Sequence, residues 1–374
     1  MTVSPIIFHR TGAETDWSCR QKRYWAYELY GTGVNPPETA YELYLGTLIH
    51  DGMAAMANNV SIDLIVEAGT KQLRAKLLEG RELNSEAQYF AEEQCALAEG
   101  LLRGFHKAHW PRISADYPEI VLCEKDLPYD YAIGGKPLRF VSKADLVRRD
   151  KDGLLWVFEW KTTGSIKEEW INSWQTAAQV HAQIKVVEQH LGEPVAGCIV
   201  QGFYKSYVSQ WNRLESVFCY GYHHPGNPPW EKPRWAYEYK AGLKKAPIWQ
   251  REGGVKRWVD EMPLPLLQSQ FPQTPPIFAN QLIIDDFFGG QGLREIEIKE
   301  HRPDDPWDPA NKQAMLKYFP KMFTGCNAYN RICGFKRLCF GSPVDPLSIG
   351  FQPRQSHHTL EQEALDAATT ESVS

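Results

Sequence analysis

Phe140-Val-Ser-Lys-Ala-Asp-Leu-Val147, the turn Arg148-Arg-Asp-Lys-Asp-Gly153, and Leu154-Leu-Trp-Val-Phe-Glu-Trp-Lys161 form the stretch on which the fold turns. It reads as two antiparallel strands, with Asp152-Gly153 supplying tight-turn chemistry. In the second strand a period of two puts Leu155, Val157, Glu159 and Lys161 on one face, and Leu154, Trp156, Phe158 and Trp160 on the other. Both faces are largely apolar, so the strand belongs at the centre of a sheet covered on both sides. Charge buried at the end of such a strand is costly unless it is paired or holds a metal. Asp145 on the partner strand lies within cross-strand reach of Glu159, so two carboxylates and an ammonium converge at one sheet edge.

Two carboxylates favour a hard divalent cation, Mg²⁺ or Mn²⁺, that keeps positions open for water and a phosphate oxygen. Lys161, on the same face as Glu159, is placed to orient the attacking water or to offset charge growing on a phosphorane. The alternative on these residues alone is a buried Glu159–Lys161 pair beside an unrelated Asp145.

Lys143-Ala-Asp-Leu-Val147 followed by Glu159-Trp-Lys161 resembles the PD-(D/E)XK nuclease superfamily, in particular its RecB-like branch, although the Pro that names the superfamily is absent before Asp145. The resemblance implies an α/β, restriction-endonuclease-like core: a mixed central β-sheet flanked by helices. It also implies that Asp145 and Glu159 hold the Mg²⁺ or Mn²⁺ and that Lys161 acts on water.

Upstream, Ala40–Asn58 reads as a helix with Leu45, Leu48, Ile49, Met53 and Met56 as its apolar stripe. His50 shares a face with Gly46, where another backbone could come close. A histidine there is either a satisfied core residue or a ligand. RecB-like nucleases carry a Gly-x-x-x-His helix before the hairpin, and Gly46-Thr-Leu-Ile-His50 matches it, which implies His50 as a third metal ligand. Helices are expected over Ser61–Glu79 and Asn84–Trp110, and a first strand over Glu119–Glu124. The resemblance makes Glu124 a secondary candidate near the metal; a plain surface carboxylate is the other reading.

Downstream, Ser173–Leu191 reads as a helix ended by Gly192, with Gln175, Gln179 and Gln183 on one face. The resemblance aligns Gln179 with the Gln of a Gln-x-x-x-Tyr motif that approaches the active site, and puts Gln183 where the Tyr usually stands. Val195–Tyr204 is a further buried strand. The core spans about 17–204. An elaboration over about 205–300 carries strands at Ser216–His223, Trp235–Tyr239 and Arg294–Lys299 and a helix at Gly254–Glu261. A cysteine-bearing segment covers about 311–340, making 1–345 one domain, and 346–374 reads as a disordered tail.

Near the other end of the chain, Ser18–Tyr30 reads as a helix. Arg20, Lys22 and Arg23 interleave there with Tyr24 and Trp25, either as phosphate and base contacts or as a solvated basic face beside buried aromatics. Eight cysteines in a chain with no secretion signal argue for core or metal roles over a disulfide framework. Cys95, Cys123, Cys198 and Cys219 sit in apolar helix or strand patterns and read as small core hydrophobes. Cys326-x₆-Cys333-x₅-Cys339 leaves three thiols near Arg331, Lys336 and Arg337, and Cys19 would make a fourth. On spacing they are metal ligands or free thiols. AddB-type and CRISPR-associated RecB-like relatives place one Cys before a basic-aromatic helix and three after the core, so the resemblance implies a [4Fe–4S] clasp, with Zn²⁺ as the alternative. The x₆ interval departs from the x₂ common there.

The formal net charge of −5 excludes a protein coated in basic residues and confines any nucleic-acid contact to a local groove. No apolar run approaches a membrane span, and the expectation is a cytoplasmic protein with no membrane partner. Taken together, the expectation is a metal-dependent DNA nuclease. The resemblance points to an exonuclease on single-stranded or end-opened DNA, in phage or bacterial DNA processing or recombination, with a helicase or annealing protein as partner. The rivals are a non-catalytic DNA-binding recombination partner that keeps the fold, and an RNA-directed nuclease.

Overall fold

The computed structural model describes residues 4–37, 41–80, 84–164, 167–205, 217–220, 247–323, 326, 332–356, 358–359 and 361–363. The architecture is α/β, a mixed central sheet flanked by helices. Its longest strands form the hairpin β3 (Glu119–Ile133) and β4 (Lys136–Arg149), paired antiparallel from Ile133 opposite Lys136 to Glu119 opposite Arg149. The other edge of β4 is shared. β1 (Ile6–His9) runs parallel to its first half, from Ile6 opposite Leu138 to His9 opposite Val141. β5 (Leu155–Thr163) runs antiparallel to its second half, from Leu146 opposite Phe158 to Arg149 opposite Leu155. β6 (Val195–Tyr204) lies parallel to β5 and has the bounds its sequence implies. On this edge, Ser142–Asp145 have neither β1 nor β5 as partner. The candidate site residues gather around that gap.

Helices cover both faces, as the two apolar faces of β5 require. Phe158 and Trp160 join Leu146, Ile199 and Phe203 in one core, capped by α3 (Tyr41–Ala57), α4 (Ile62–Leu78) and α5 (Ser85–Ala108). The helix pattern was well marked here: Ser61 and Asn84 accept the backbone N–H of Leu64 and Ala87 and so start α4 and α5. Leu155 and Val157 face a second core built with α8 (Ala178–Leu191) and the helix Gln281–His301.

Several local expectations are corrected. Ser18–Tyr30 is not one helix: α1 (Arg10–Ser18) ends where Cys19 adopts an extended backbone, and the chain resumes as α2 (Arg20–Arg23) and a π turn over Tyr24–Glu28. Arg294–Lys299 is helical, not a strand. Its alternating Glu and Ile imitate a period of two, but Asn280 caps a helix that buries Ile284, Phe287, Phe288, Gln291, Glu295 and Ile298 at helical spacing. Val217–Tyr220 is likewise a helical turn. It buries Phe218 so close to α5 that a Cβ on Gly100 would come 2.2 Å from the ring. The rest of Ser216–His223, and Trp235–Tyr239, lie outside the described residues. The sheet begins earlier than residue 17, with β1. The described part of the segment read as a tail from 346 is tied to the fold at several points: β2 (Val34–Asn35) pairs with β7 (Gln352–Pro353), Phe351 is buried, and Arg354 bonds Thr32 O and Glu361. Residues 364–374 lie outside the described residues.

Candidate metal centre

Where β4 and β5 separate, Asp145 takes over from the backbone. Its Oδ2 accepts the Trp160 N–H at 2.8 Å, a donor that would otherwise face a missing carbonyl. Continuing the register, Asp145 stands opposite Glu159 on β5 and opposite Glu124 on β3. Three carboxylates on adjacent strands therefore form one row. Glu124 reaches it with φ at +47°, a left-handed conformation inside a strand that a β-carbon disfavours. Strain of this kind, about 1–3 kcal/mol, persists where surrounding structure imposes it and clusters at functional sites.

α3 lays His50 over the row. His50 Nδ1 is 3.3 Å from Asp145 Oδ1 and 3.5 Å from Glu124 Oε1. Ligand atoms of His50, Glu124 and Asp145 all lie within 4.8 Å of one another. Apart from the His50 ion pair, Glu124 Oε1 is buried without a hydrogen-bond partner, while Oε2 takes Lys143 Nζ at 2.6 Å. A buried carboxylate oxygen left over in an N/O donor set fits a hard cation.

Glu159 adjoins this trio without being part of it. Its Oε2 accepts from Lys161 Nζ at 2.7 Å and its Oε1 from Gln179 Nε2 at 2.9 Å, and its carboxyl touches that of Asp145. Of the sequence-derived set of His50, Asp145 and Glu159, the structure brings His50 and Asp145 together with Glu124, and Glu159 adjoins them through Asp145. Glu124, a secondary candidate from sequence, is drawn fully in. In the sequence it is marked only by the resemblance and by its place at the end of a short apolar run.

Charge is unevenly settled. Burial pushes the Glu159 carboxyl up, and the negative Asp145 beside it pushes the same way. Burial opposes ionisation of Asp145 too, but facing His50 holds its carboxyl below the usual range. Burial would lower His50; the Asp145 and Glu124 carboxylates together outweigh it and carry the imidazole up to about 10. The site is thus built to hold positive charge, here supplied by an imidazolium.

Gln179 and Gln183 both serve the site. Gln179 stands in the first turn of α8, and the buried Gln183 donates to Lys143 O at 3.0 Å, fixing β4 beside Asp145. Gln175 is not on their face, because the helix begins only at Ala178 after a 3₁₀ turn over Trp174–Thr176. Gly46 does not admit a close backbone: a Cβ there would meet only Thr162 Oγ1, at 3.8 Å.

The basic and aromatic residues around Cys19 are mostly structural. Buried Arg23 pairs with Glu28 and Glu295, both at 2.9 Å, and buried Tyr24 donates to Pro303 O. Only Arg20 is exposed among them. Tyr24, Trp25 and Leu29 form a third core with Met315, Phe319, Phe335 and Leu338, so the two ends of the chain are joined by packing. In that core Trp25 Nε1 donates to Cys339 Sγ at 3.2 Å, and Cys19 and Cys333 both act on the Cys339 thiol, which burial pushes up to about 11. Cys333 N–H donates to Cys326 O at 2.9 Å. Among the described residues no three of these thiols come within 4.8 Å of one another. One tetrahedral Zn²⁺ with Zn–S near 2.3 Å would need sulfurs about 3.8 Å apart. The other four cysteines pack as core groups, with Cys123 half-buried and Cys219 in a helical turn instead of a strand.

No helix among the described residues is long and apolar enough to cross a membrane. No family model matches the chain, and no curated protein matches it. Among solved structures, one titled "Crystal structure of SSO0001" aligns over 58% of this chain and 93% of its own, at 13% identity and a TM-score of 0.21, a likeness too slight to carry an argument.

Proposed function

We propose that the chain is a divalent-metal-dependent deoxyribonuclease, an exonuclease acting on single-stranded or end-opened DNA in phage or bacterial DNA processing or recombination. The observation that carries this is the meeting of His50, Glu124 and Asp145 ligand atoms within 4.8 Å, beside the Glu159–Lys161 and Glu159–Gln179 bonds. Nucleic acid as substrate, and the preference for free ends, rest on the resemblance of Asp145 and Glu159-Trp-Lys161 to RecB-like nucleases.

His50, Glu124 and Asp145 would hold Mg²⁺ or Mn²⁺, with Glu159 at its margin. Such a cation, when bound, polarises a phosphate oxygen and lowers the pKa of water. The chain supplies the rest. Asp145 is held in place by the Trp160 N–H, so its oxygens need no reorganisation. Lys161 Nζ, donating to Glu159 Oε2, is positioned to orient the attacking water, and Gln179 keeps Glu159 from turning away. His50 must give up its proton before it can act as a ligand.

A [4Fe–4S] cluster held by Cys19, Cys326, Cys333 and Cys339 is part of the same reading. Its role would be structural, joining segments about 300 residues apart and so removing loop-closure entropy from the unfolded chain. Iron and acid-labile sulfide analysis after anaerobic purification tests it; stoichiometric zinc, or no metal, removes it.

The deciding experiment for activity incubates the protein with Mn²⁺ and labelled single-stranded DNA, duplex DNA and RNA, beside Lys161→Ala. Degradation of DNA that the variant abolishes supports the reading, and unchanged activity in the variant rejects the mechanism. Cleavage of RNA alone would make it an RNA-directed nuclease, and binding without cleavage a recombination partner.

A further inference from the structure

Between Asn311 and Phe340 the chain carries Lys312, Lys317, Lys321, Arg331, Lys336 and Arg337 and no Asp or Glu, in a protein of formal net charge −5. The same segment exposes apolar rings that a folded surface normally withdraws. Phe323 is 70% exposed and Phe340 50%, with their ring centres 6.1 Å apart. Lys321 stands 4.6 Å over the Phe340 ring and donates to Cys339 O. Lys317 stands 4.7 Å over Tyr318, which also stacks on His301 at 4.1 Å. Beneath this surface Met315, Phe319, Phe335 and Leu338 are buried in the third core, so the rings sit on a fixed base.

We infer that this face is a stacking platform for single-stranded nucleic acid. It takes bases against Phe323 and Phe340, and phosphates against Lys317, Lys321, Lys336 and Arg337. Charge complementarity names the occupant. A local basic field on an acidic protein selects a polyanion, and exposed rings beside cations select one with flat, unpaired bases. An anionic membrane also attracts cations and Phe, but it favours one amphipathic helix lying flat. Here the residues are spread over two short helices, Lys312–Tyr318 and Lys336–Phe340, and the chain between them. The inference rests on the nuclease reading only for why a polynucleotide should be near; it adds a holding surface distinct from the metal centre.

The test measures anisotropy of a fluorescein-labelled oligo(dT) on the full chain in EDTA, where cleavage plays no part. Phe323→Ala and Phe340→Ala are each expected to weaken binding about tenfold, the scale of one lost base stack. Phe323→Leu should weaken it nearly as much, because it keeps apolar area but removes the ring. The plot of log affinity against log salt should have a slope of about −3 for four phosphate contacts on a single strand, and Lys336→Gln should flatten it by about 0.7. Melting curves check that the exposed variants remain folded. Binding unchanged in both Phe variants overturns the inference. So does full binding in Phe323→Leu, or binding of anionic vesicles that oligo(dT) cannot displace. Oligo(dT) binding that the Phe variants lose, in a protein that cleaves nothing with Mn²⁺, would keep the platform and discard the nuclease.

Discussion

Trp160 donates its backbone N–H to Asp145 Oδ2 at 2.8 Å, one step beyond the last paired residues of β4 and β5, Leu146 and Phe158. A side-chain carboxylate thus fills the place of a strand carbonyl. The bond spares β5 an orphaned donor, and it fixes one oxygen of Asp145 so that the other faces His50.

This dual use separates two substitutions. Asp145→Asn keeps an oxygen for the Trp160 N–H and removes the charge. Its stability in chelator should fall by no more than the His50 ion pair contributes, while Mn²⁺ affinity falls at least about tenfold. Asp145→Ala loses the acceptor as well and should cost a further ~1–3 kcal/mol. Urea unfolding with EDTA, and calorimetric Mn²⁺ titration, read the two effects apart. Equal stability of the two variants would show that the Trp160 bond contributes nothing.

His50 links the same site to pH. Against the effect of burial, Asp145 and, to a lesser extent, Glu124 raise its pKa from 6.5 to about 10 in the folded protein. A raised folded pKa gives stability that is fully present below the unfolded value near 6.5 and is lost as pH climbs through about 10. In chelator, the stability advantage of the parent over His50→Asn should shrink across that window. Because a ligand imidazole must be neutral, Mn²⁺ binding near pH 7.5 should release about one proton, seen as a buffer-dependent calorimetric heat. Apparent affinity should rise with pH. A heat independent of the buffer would remove His50 from the ligand set.

Much of this was legible beforehand because the residues carry local signals. Leu155–Lys161 alternates cleanly, α4 and α5 begin at capping residues, and Gly192 stops α8 in the left-handed conformation. What escaped depends on distant partners. β1 is four residues with no turn signal, and only the free half of the β4 edge makes it a strand. Tyr24 and Trp25 look like a nucleic-acid contact in isolation, but residues about 300 positions away bury them. Glu124 is marked only as a secondary candidate, by resemblance; its place in the row comes from register and a backbone angle that its neighbours in sequence do not encode.

That angle yields a third prediction. Glycine adopts positive φ freely, so Glu124→Gly relieves strain of about 1–3 kcal/mol, while the added freedom of the unfolded chain costs roughly 0.5–1 kcal/mol. It also removes a half-buried carboxylate together with its ion pairs to His50 and to the exposed Lys143, each worth about 0–1 kcal/mol. The metal-free variant should therefore melt close to the parent temperature while its Mn²⁺ affinity falls about 10- to 100-fold. Scanning calorimetry with and without Mn²⁺ distinguishes this from a simple loss of fold: the parent should gain stability from the metal and the variant should not.

Arg148 offers the same contrast away from the metal. It is 3% exposed on β4, its Nε and Nη1 have no hydrogen-bond partner among the described residues, and burial pulls its pKa down. A favourable contact it does make is with the Trp110 ring, 5.4 Å from the guanidinium carbon. Such a cation–π contact is worth about 0.5–2 kcal/mol, less than the several kcal/mol of burying an unpaired charge. Arg148→Met keeps most of the volume and removes the charge, so the midpoint of urea unfolding should rise by the equivalent of about 1–3 kcal/mol. Arg148→Ala would leave a cavity beside Trp110 and should gain less. If Met destabilises instead, an anion must accompany the guanidinium in solution, and added phosphate should then stabilise the parent but not the variant.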